Sequence, residues 1–203
     1  MLWCQIHQSL KWKEHIQTSE KSLIKQLTSR LNALKKLGTN APFKTRLLAA
    51  NAVFTSVLTY LIPLWGNSEN YLLKALQVVQ NKAARCVTKL SWYTSTRQLL
   101  KQCGWMSIKQ LIFYHTVLTI SRILKSGKPV YLRSKLSTDF PYPTRQATGG
   151  NLRLNMPIVG EGSFLHTGLK SYNRLPDVMK SLSSTIIFKK QVKKWTSLNI
   201  PIE

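Results

Sequence analysis

The sequence predicts a mainly α-helical fold: a helical bundle, then a loop-rich segment with one or two short strands, then closing helices. Three observations carry that expectation. Apolar residues recur at three- and four-residue spacing through most of the 203 positions, which is the repeat of one helix face. Glycines and prolines fall between those runs and punctuate them. Hydrophobic residues make up 43% of the chain, enough to bury a core.

The first helix is expected from Lys13 to Leu37. Ile16, Leu23, Ile24, Leu27, Leu31, Leu34 and Leu37 share a face, and Gly38 stands where a C-terminal cap belongs. Thr39 or Asn40 can cap a second helix with Pro42 in its first turn, running until Pro63. A third spans about 68–88, with Leu72, Leu76, Val79, Ala83 and Val87 on one face and Lys74, Lys82, Arg85 and Lys89 opposite. A short helix around 95–102 ends at Gly104. Another runs from Ser107 to Lys125 and stops before Gly127. Residues 139–162 hold Pro141, Pro143, Pro157 and several glycines, and read as a loop with a strand near Leu152–Leu154. A short helix at 164–172, a Leu175-Pro176-Asp177 turn and a final helix complete the series. In that last helix Ser184 can cap, Phe188, Val192 and Trp195 share one face, and Lys189, Lys190, Lys193 and Lys194 take the other. Three parts follow: a helical domain over 1–127, a linker over 128–162 and a C-terminal helical segment over 163–203.

Charge is the unusual quantity. Thirty Lys and Arg face seven Asp and Glu, for a net +23. Cations recur from Lys11 to Lys194 instead of gathering in a tail. Such an excess repels itself in a compact chain unless a polyanion is near, and phosphate backbones are the commonest one. An anionic membrane surface is the rival. Between Arg46 and Glu69 the chain is uncharged over nearly a bilayer span, but Asn51, Thr55, Ser56, Thr59 and Pro63 interrupt it. A buried core helix therefore fits better than a membrane span.

Catalysis finds little support. The carboxylates Glu14, Glu20, Glu69, Asp139, Glu161, Asp177 and Glu203 are widely separated, whereas two-metal phosphoryl transfer needs them clustered. No phosphate-binding P-loop, nucleophile elbow or His-Glu-x-x-His occurs. Cys4, Cys86 and Cys103 form no disulfide framework, and Cys4 with His7 offers only two metal ligands. Odd, scattered cysteines suggest a reduced, intracellular chain, nuclear or cytoplasmic. His115 falls on an apolar helix face and reads as a core residue. No metal, cofactor or small-molecule substrate is expected. Aromatics do stand beside cations at Trp12, at Trp92-Tyr93 and at Trp195, the pairing that holds single strands by base stacking. For any one of these clusters taken alone, the favoured reading is that the tryptophans anchor the core beside a solvated cationic face.

The order of these features resembles a known family. "SLKWKEHI" resembles the Leu-x-Trp-x-x-His-Ile stretch that follows the catalytic palm of non-LTR, jockey-like retrotransposon reverse transcriptases. "KTRLLAANAVFTSVLTYLIPLWG" is similar to that family's Tyr-Gly-x-x-x-Trp helix, although Leu61 and Ile62 follow Tyr60 where glycine is usual. "LKALQVVQNKAARCV" resembles its Leu-x-x-Ile-Gln-Asn-x-x-x-Arg helix at Leu76, Val79, Gln80, Asn81 and Arg85. The ending resembles Trp-Asn-x-Leu-Pro…Phe-Lys, with Tyr172 for tryptophan and matches at Asn173, Leu175, Pro176, Phe188 and Lys189.

The resemblance implies the thumb and post-thumb part of an RNA-directed DNA polymerase. The family's paired catalytic aspartates have no counterpart here, so the chain is expected to be a non-catalytic C-terminal remnant. Its expected partner is nucleic acid (RNA, DNA or their hybrid), gripped by the backbone. The expected contacts are Lys35, Lys36, Lys44, Arg46, Lys82, Arg85 and Lys89, extended by Lys189, Lys190, Lys193 and Lys194. The alternative is a membrane-associated or partner-binding basic helical protein.

Overall fold

A computed structural model describes residues 12–36, 41–138, 150–155 and 163–202. The chain is mainly helical, with one two-stranded antiparallel sheet among the described residues, as the periodicity predicts. It divides into two compact units, Met1–Leu111 with Ile202–Glu203, and Ile112–Pro201.

In the first unit a wide, π-helical turn at Glu14–Thr18 precedes α1 (Leu23–Lys36). The continuous helix expected from Lys13 is thus interrupted at 19–22. The physical reason lies in the serines: Ser19 Oγ accepts from Lys21 N, and Ser19 O accepts from Ser22 N, a local turn that replaces helical bonds. Beyond it the predicted face is intact, with Leu23, Leu27, Leu31 and Leu34 buried. The Gly38 cap and the Thr39 or Asn40 cap fall outside the described residues, as do Cys4, His7 and Lys11.

The next helix also ends early. α2 (Phe43–Ala50) widens into a π-helical turn at Asn51–Thr55 and closes as α3 (Ser56–Leu58). Leu61 then adopts φ 53°, in the left-handed region, and α4 (Ile62–Trp65) carries Pro63 in its first turn. The uncharged run is core: Phe54, Val57, Leu58, Ile62 and Trp65 are all buried. Among the described residues no helix is long and apolar enough to cross a membrane.

α5 (Asn70–Thr88) is the spine of this unit. Its predicted apolar face is buried at every position, and Ala83 and Ala84 offer no bulk, so α1 and α2 can pack close against it. α6 (Thr96–Cys103) packs on α5 as well, capped by Ser95, whose hydroxyl accepts from Gln98 N. Gly104 ends it at φ 66°, the left-handed cap for which glycine carries no Cβ penalty.

α7 (Ile108–Ser126) opens with a capping box: Ser107 N donates to Gln110 Oε1 while Ser107 Oγ accepts from Gln110 N. The division between the units falls inside α7, upstream of the boundary suggested after residue 127. From Ile112 onward the helix lends Phe113, Val117, Ile120 and Ile123 to the second core.

The second unit continues with α8 (Val130–Arg133), a helix in a stretch expected to be loop. β1 (Leu136–Ser137) pairs antiparallel with β2 (Arg153–Leu154), the strand expected near 152–154. α9 (Phe164–Asn173) approaches α7 closely, since a Cβ on Gly168 would lie 2.8 Å from Ile120 Cδ1. α10 (Asp177–Lys180) and α11 (Thr185–Asn199) close the unit. Ser184 caps α11 as predicted, accepting from Ile187 N, and Phe188 and Val192 enter the core. The serine-rich hinge before it is tied down by Lys125, whose Nζ donates to Leu182 O at 2.9 Å and Ser183 O at 2.8 Å.

α11 is therefore a docked closing element. With Phe188 2% exposed, Phe188→Ala is expected to destabilise the fold by about 3–5 kcal/mol in a denaturant titration; an unchanged midpoint would mean that α11 does not close the core in solution.

Candidate nucleic-acid interface

Several of the residues that the sequence motifs single out fasten the fold. Trp65 Nε1 donates to Tyr60 O at 2.8 Å and so closes the turn between them. Leu61, where the resembling family usually has glycine, holds the left-handed conformation that glycine favours. His15 is buried with its ring edge-on to Trp12, centroids 6.0 Å apart, and Ile16 is fully buried beside it. Asn173 makes a reciprocal pair with the backbone of Leu152, accepting from its N–H at 2.8 Å and donating to its carbonyl at 2.9 Å. One side chain thereby does the work of a neighbouring strand for the segment leading into β2.

The Gln-Asn motif of α5 is the most extensive clasp. Gln77 Nε2 donates to Gln80 Oε1 and to Asn81 Oδ1, both at 2.9 Å. Gln77 Oε1 accepts from Ile108 N, Gln80 Nε2 donates to Met106 O, and Asn81 Nδ2 donates to Thr96 Oγ1. Three amides thus fasten α5 to the start of α6 and the start of α7.

On this frame the predicted cations separate into two groups. Lys82 and Lys89 are exposed along α5, and Lys74 joins them. At 3.6 residues per turn Lys74 and Lys82 lie about 80° of arc apart on α5, and Lys89 stands at its C-terminal cap just beyond. Lys74 was part of the polar face but not of the predicted contacts, although its spacing from Lys82 places it there. Lys35 and Lys36 are exposed at the end of α1, and Lys44 is exposed in the first turn of α2. In the second unit Lys189, Lys190, Lys193 and Lys194 are exposed on α11, opposite Phe188 and Val192. No carboxylate occurs between Glu69 and Asp139, so α5, α6 and α7 carry cationic charge alone.

The two arginines are engaged within the chain. Arg46 donates through Nε to Val87 O at 2.8 Å and through a second guanidinium nitrogen to Ala41 O. It binds the last turn of α5 to the chain entering α2, where α5's unpaired carbonyls attract a cation. Arg85 lies over the Trp92 ring, 4.6 Å from its centroid, and donates to Trp92 O at 3.3 Å. Its Nε is buried without a hydrogen-bond partner. Sequence periodicity placed Arg85 on the polar face of α5, and Arg46 was expected only as a nucleic-acid backbone contact; the fold reveals what their guanidinium groups bind.

The aromatic clusters also separate. Trp195 stacks on Phe113, centroids 5.3 Å apart, and Trp12 packs on His15, which is the core-anchor reading. Trp92 and Tyr93 are 69% and 94% exposed. They occupy the tip of the loop between α5 and α6.

Among the described residues no three His, Cys, Asp or Glu groups converge to hold a metal ion. Burial pushes the Cys103 thiol up to about 11, so it stays protonated and unreactive near neutral pH. Burial also lowers the pKa of His115, with the Arg122 charge adding to it, and burial lowers that of His15. His115, expected in the core, is half-buried with its ring edge-on to Tyr114. Comparisons of the chain with family models, curated proteins and solved structures return no match.

Lys89 presents one more feature. It ends α5 at φ 60°, a left-handed cap taken by a lysine where glycine is the common choice. Lys89→Gly should therefore raise stability by about 1 kcal/mol, since an L side chain is disfavoured in that conformation. A lower melting temperature in that variant would show that the side chain makes contacts worth more than the strain.

Proposed function

We propose that this chain is a non-catalytic nucleic-acid-binding module, the thumb and post-thumb remnant of a non-LTR retrotransposon reverse transcriptase, which grips an RNA–DNA primer–template by its phosphates. One observation carries the reading. Thirty cations face seven carboxylates, so one-to-one pairing within the chain leaves twenty-three cations over (30 − 7 = 23). The lysines among them on α5 stand exposed on a helix that mid-helix amides and Arg46 fasten to its neighbours. A rigid row of ammonium groups without acid nearby attracts a polyanion at long range and is not offset from within the fold.

The resemblance is supported by how its motif residues behave. Three of the four quoted motifs hold a backbone turn, a helix junction or a strand segment, and the glycine position of the family falls on a left-handed residue. Phosphate contact without base readout suits such a module, because a polymerase product has no fixed sequence. RNA–DNA hybrids are read by shape and backbone rather than by groove edges.

The test is affinity for an RNA–DNA hybrid as a function of salt. Log affinity should fall linearly with log salt, with a slope near −0.9 for each phosphate neutralised, as on duplex DNA. Lys82→Gln and Lys89→Gln should each make the slope shallower by about 1. A flat salt response, or no binding at low ionic strength, would contradict the reading.

A further inference from the structure

The loop between α5 and α6 carries two large rings that stand largely outside the core. Tyr93 is 94% exposed and Trp92 69%, whereas a ring serving the core would be buried. The loop that bears them is nonetheless held in shape. Thr94 N donates to Ser91 O at 3.1 Å, and Tyr93 N donates to Ser91 Oγ at 3.4 Å. Arg85 holds the Trp92 carbonyl and lies against its indole, and Asn81 anchors the first residue of α6. The rings are therefore presented from a fixed turn between two packed helices.

Their surroundings narrow the occupant. A protein-docking site is expected to be a contiguous apolar patch with few charges at its centre. Here the neighbours in sequence are exposed or half-exposed Ser91, Thr94 and Ser95, and the flanking charged groups are Lys89 and Arg97, both exposed. Acidic residues are missing from the entire segment between Glu69 and Asp139. Flat rings among cations, with hydroxyls between, match the chemistry of an unpaired base and its phosphate. The Arg85 guanidinium on one face of the indole adds positive charge to the platform.

We infer that Trp92 and Tyr93 form a stacking platform for unpaired bases, with Lys89 and Arg97 taking the adjoining phosphates, so that the module binds single-stranded nucleic acid at this loop. The inference rests on the proposed nucleic-acid reading and adds a strand preference to it. Backbone grip by the α5 lysines accounts for duplex affinity; the platform accounts for a strand that has left the duplex.

The experiment compares a single strand of about twelve nucleotides with a hybrid duplex lacking overhangs, each titrated over a range of salt. Trp92→Ala is expected to weaken single-strand binding by about 5- to 150-fold, the range for one lost base stack. Its salt slope and its affinity for the hybrid should match the unaltered protein, because no cation is removed. Trp92→Phe should recover most of the loss by keeping a ring, and Tyr93→Ala should weaken the single strand alone. Tyr93 is almost wholly exposed, so the melting curve of Tyr93→Ala should superimpose on that of the unaltered chain, while that of Trp92→Ala should shift only by the loss of the Arg85–indole contact. Three results would overturn the inference. If both alanine variants bind the single strand normally, the platform has another occupant, such as a protein, while a steep salt slope keeps the phosphate reading intact. Equal losses on both probes would make the tip a general backbone contact. Absence of binding to either probe by the unaltered protein would remove this inference and the proposed function together.

Discussion

The amides of Gln77, Gln80 and Asn81 connect α5 to α6 and to the first turn of α7, and the first unit's surface is arranged by that connection. Apolar burial alone would let α5 slide or rotate against its neighbours, because the hydrophobic effect is not directional. Hydrogen bonds are directional, and partly buried ones are expensive to leave unmade. Three side chains each satisfying a specific partner therefore fix the rotation of α5 about its axis. That rotation decides which residues face solvent. It turns Leu72, Leu76, Val79 and Ala83 inward and leaves Lys74, Lys82 and Lys89 in one outward row. It also sets the start of α6, and with it the path of the loop that carries Trp92 and Tyr93.

Charge imposes the second constraint. A chain at net +23 repels itself, and only apolar packing and local hydrogen bonds hold it compact when no polyanion is bound. The fold meets this by giving some cations internal work. Arg46 takes carbonyls from both ends of a helix contact, Lys125 holds the hinge before α11, and Lys180 bridges Asn151 and Asp177. These groups gain partners other than water within their own unit. The exposed lysines of α1, α5 and α11 do not lie in that class, and they are the ones that the proposed function assigns to phosphate.

Much of this organisation was legible in the sequence, for identifiable reasons. The apolar faces of α1, α5 and α11 follow the 3.6-residue repeat, and Ser95, Gly104 and Ser184 act as the end signals they resemble. Breaks were harder to read. A serine turn at 19–22 and a π-helical turn at Asn51–Thr55 both leave the apolar spacing nearly unchanged. Left-handed Leu61 and Lys89 carry no mark in composition, since glycine is the residue expected there. The candidate interface divided in the same way. Exposure of the lysines follows from periodicity, but the fates of Arg46 and Arg85 depend on partners that only folding brings near: Val87 lies forty-one residues from Arg46 in the chain. The aromatic clusters were ambiguous in sequence because exposure is a property of the assembled loop; the fold buries or packs Trp195 and Trp12 and leaves Trp92 out.

Under the proposed function a polyanion completes the folded, acid-poor helical surface. Melting of the full chain with and without an RNA–DNA hybrid tests it most directly, because a ligand that binds only the folded state raises its stability by mass action. At low salt the hybrid should raise the melting temperature in proportion to the logarithm of its concentration, and the rise should vanish as salt increases. A melting temperature that the hybrid leaves unmoved at low salt, or a rise that persists at high salt, would contradict the claim.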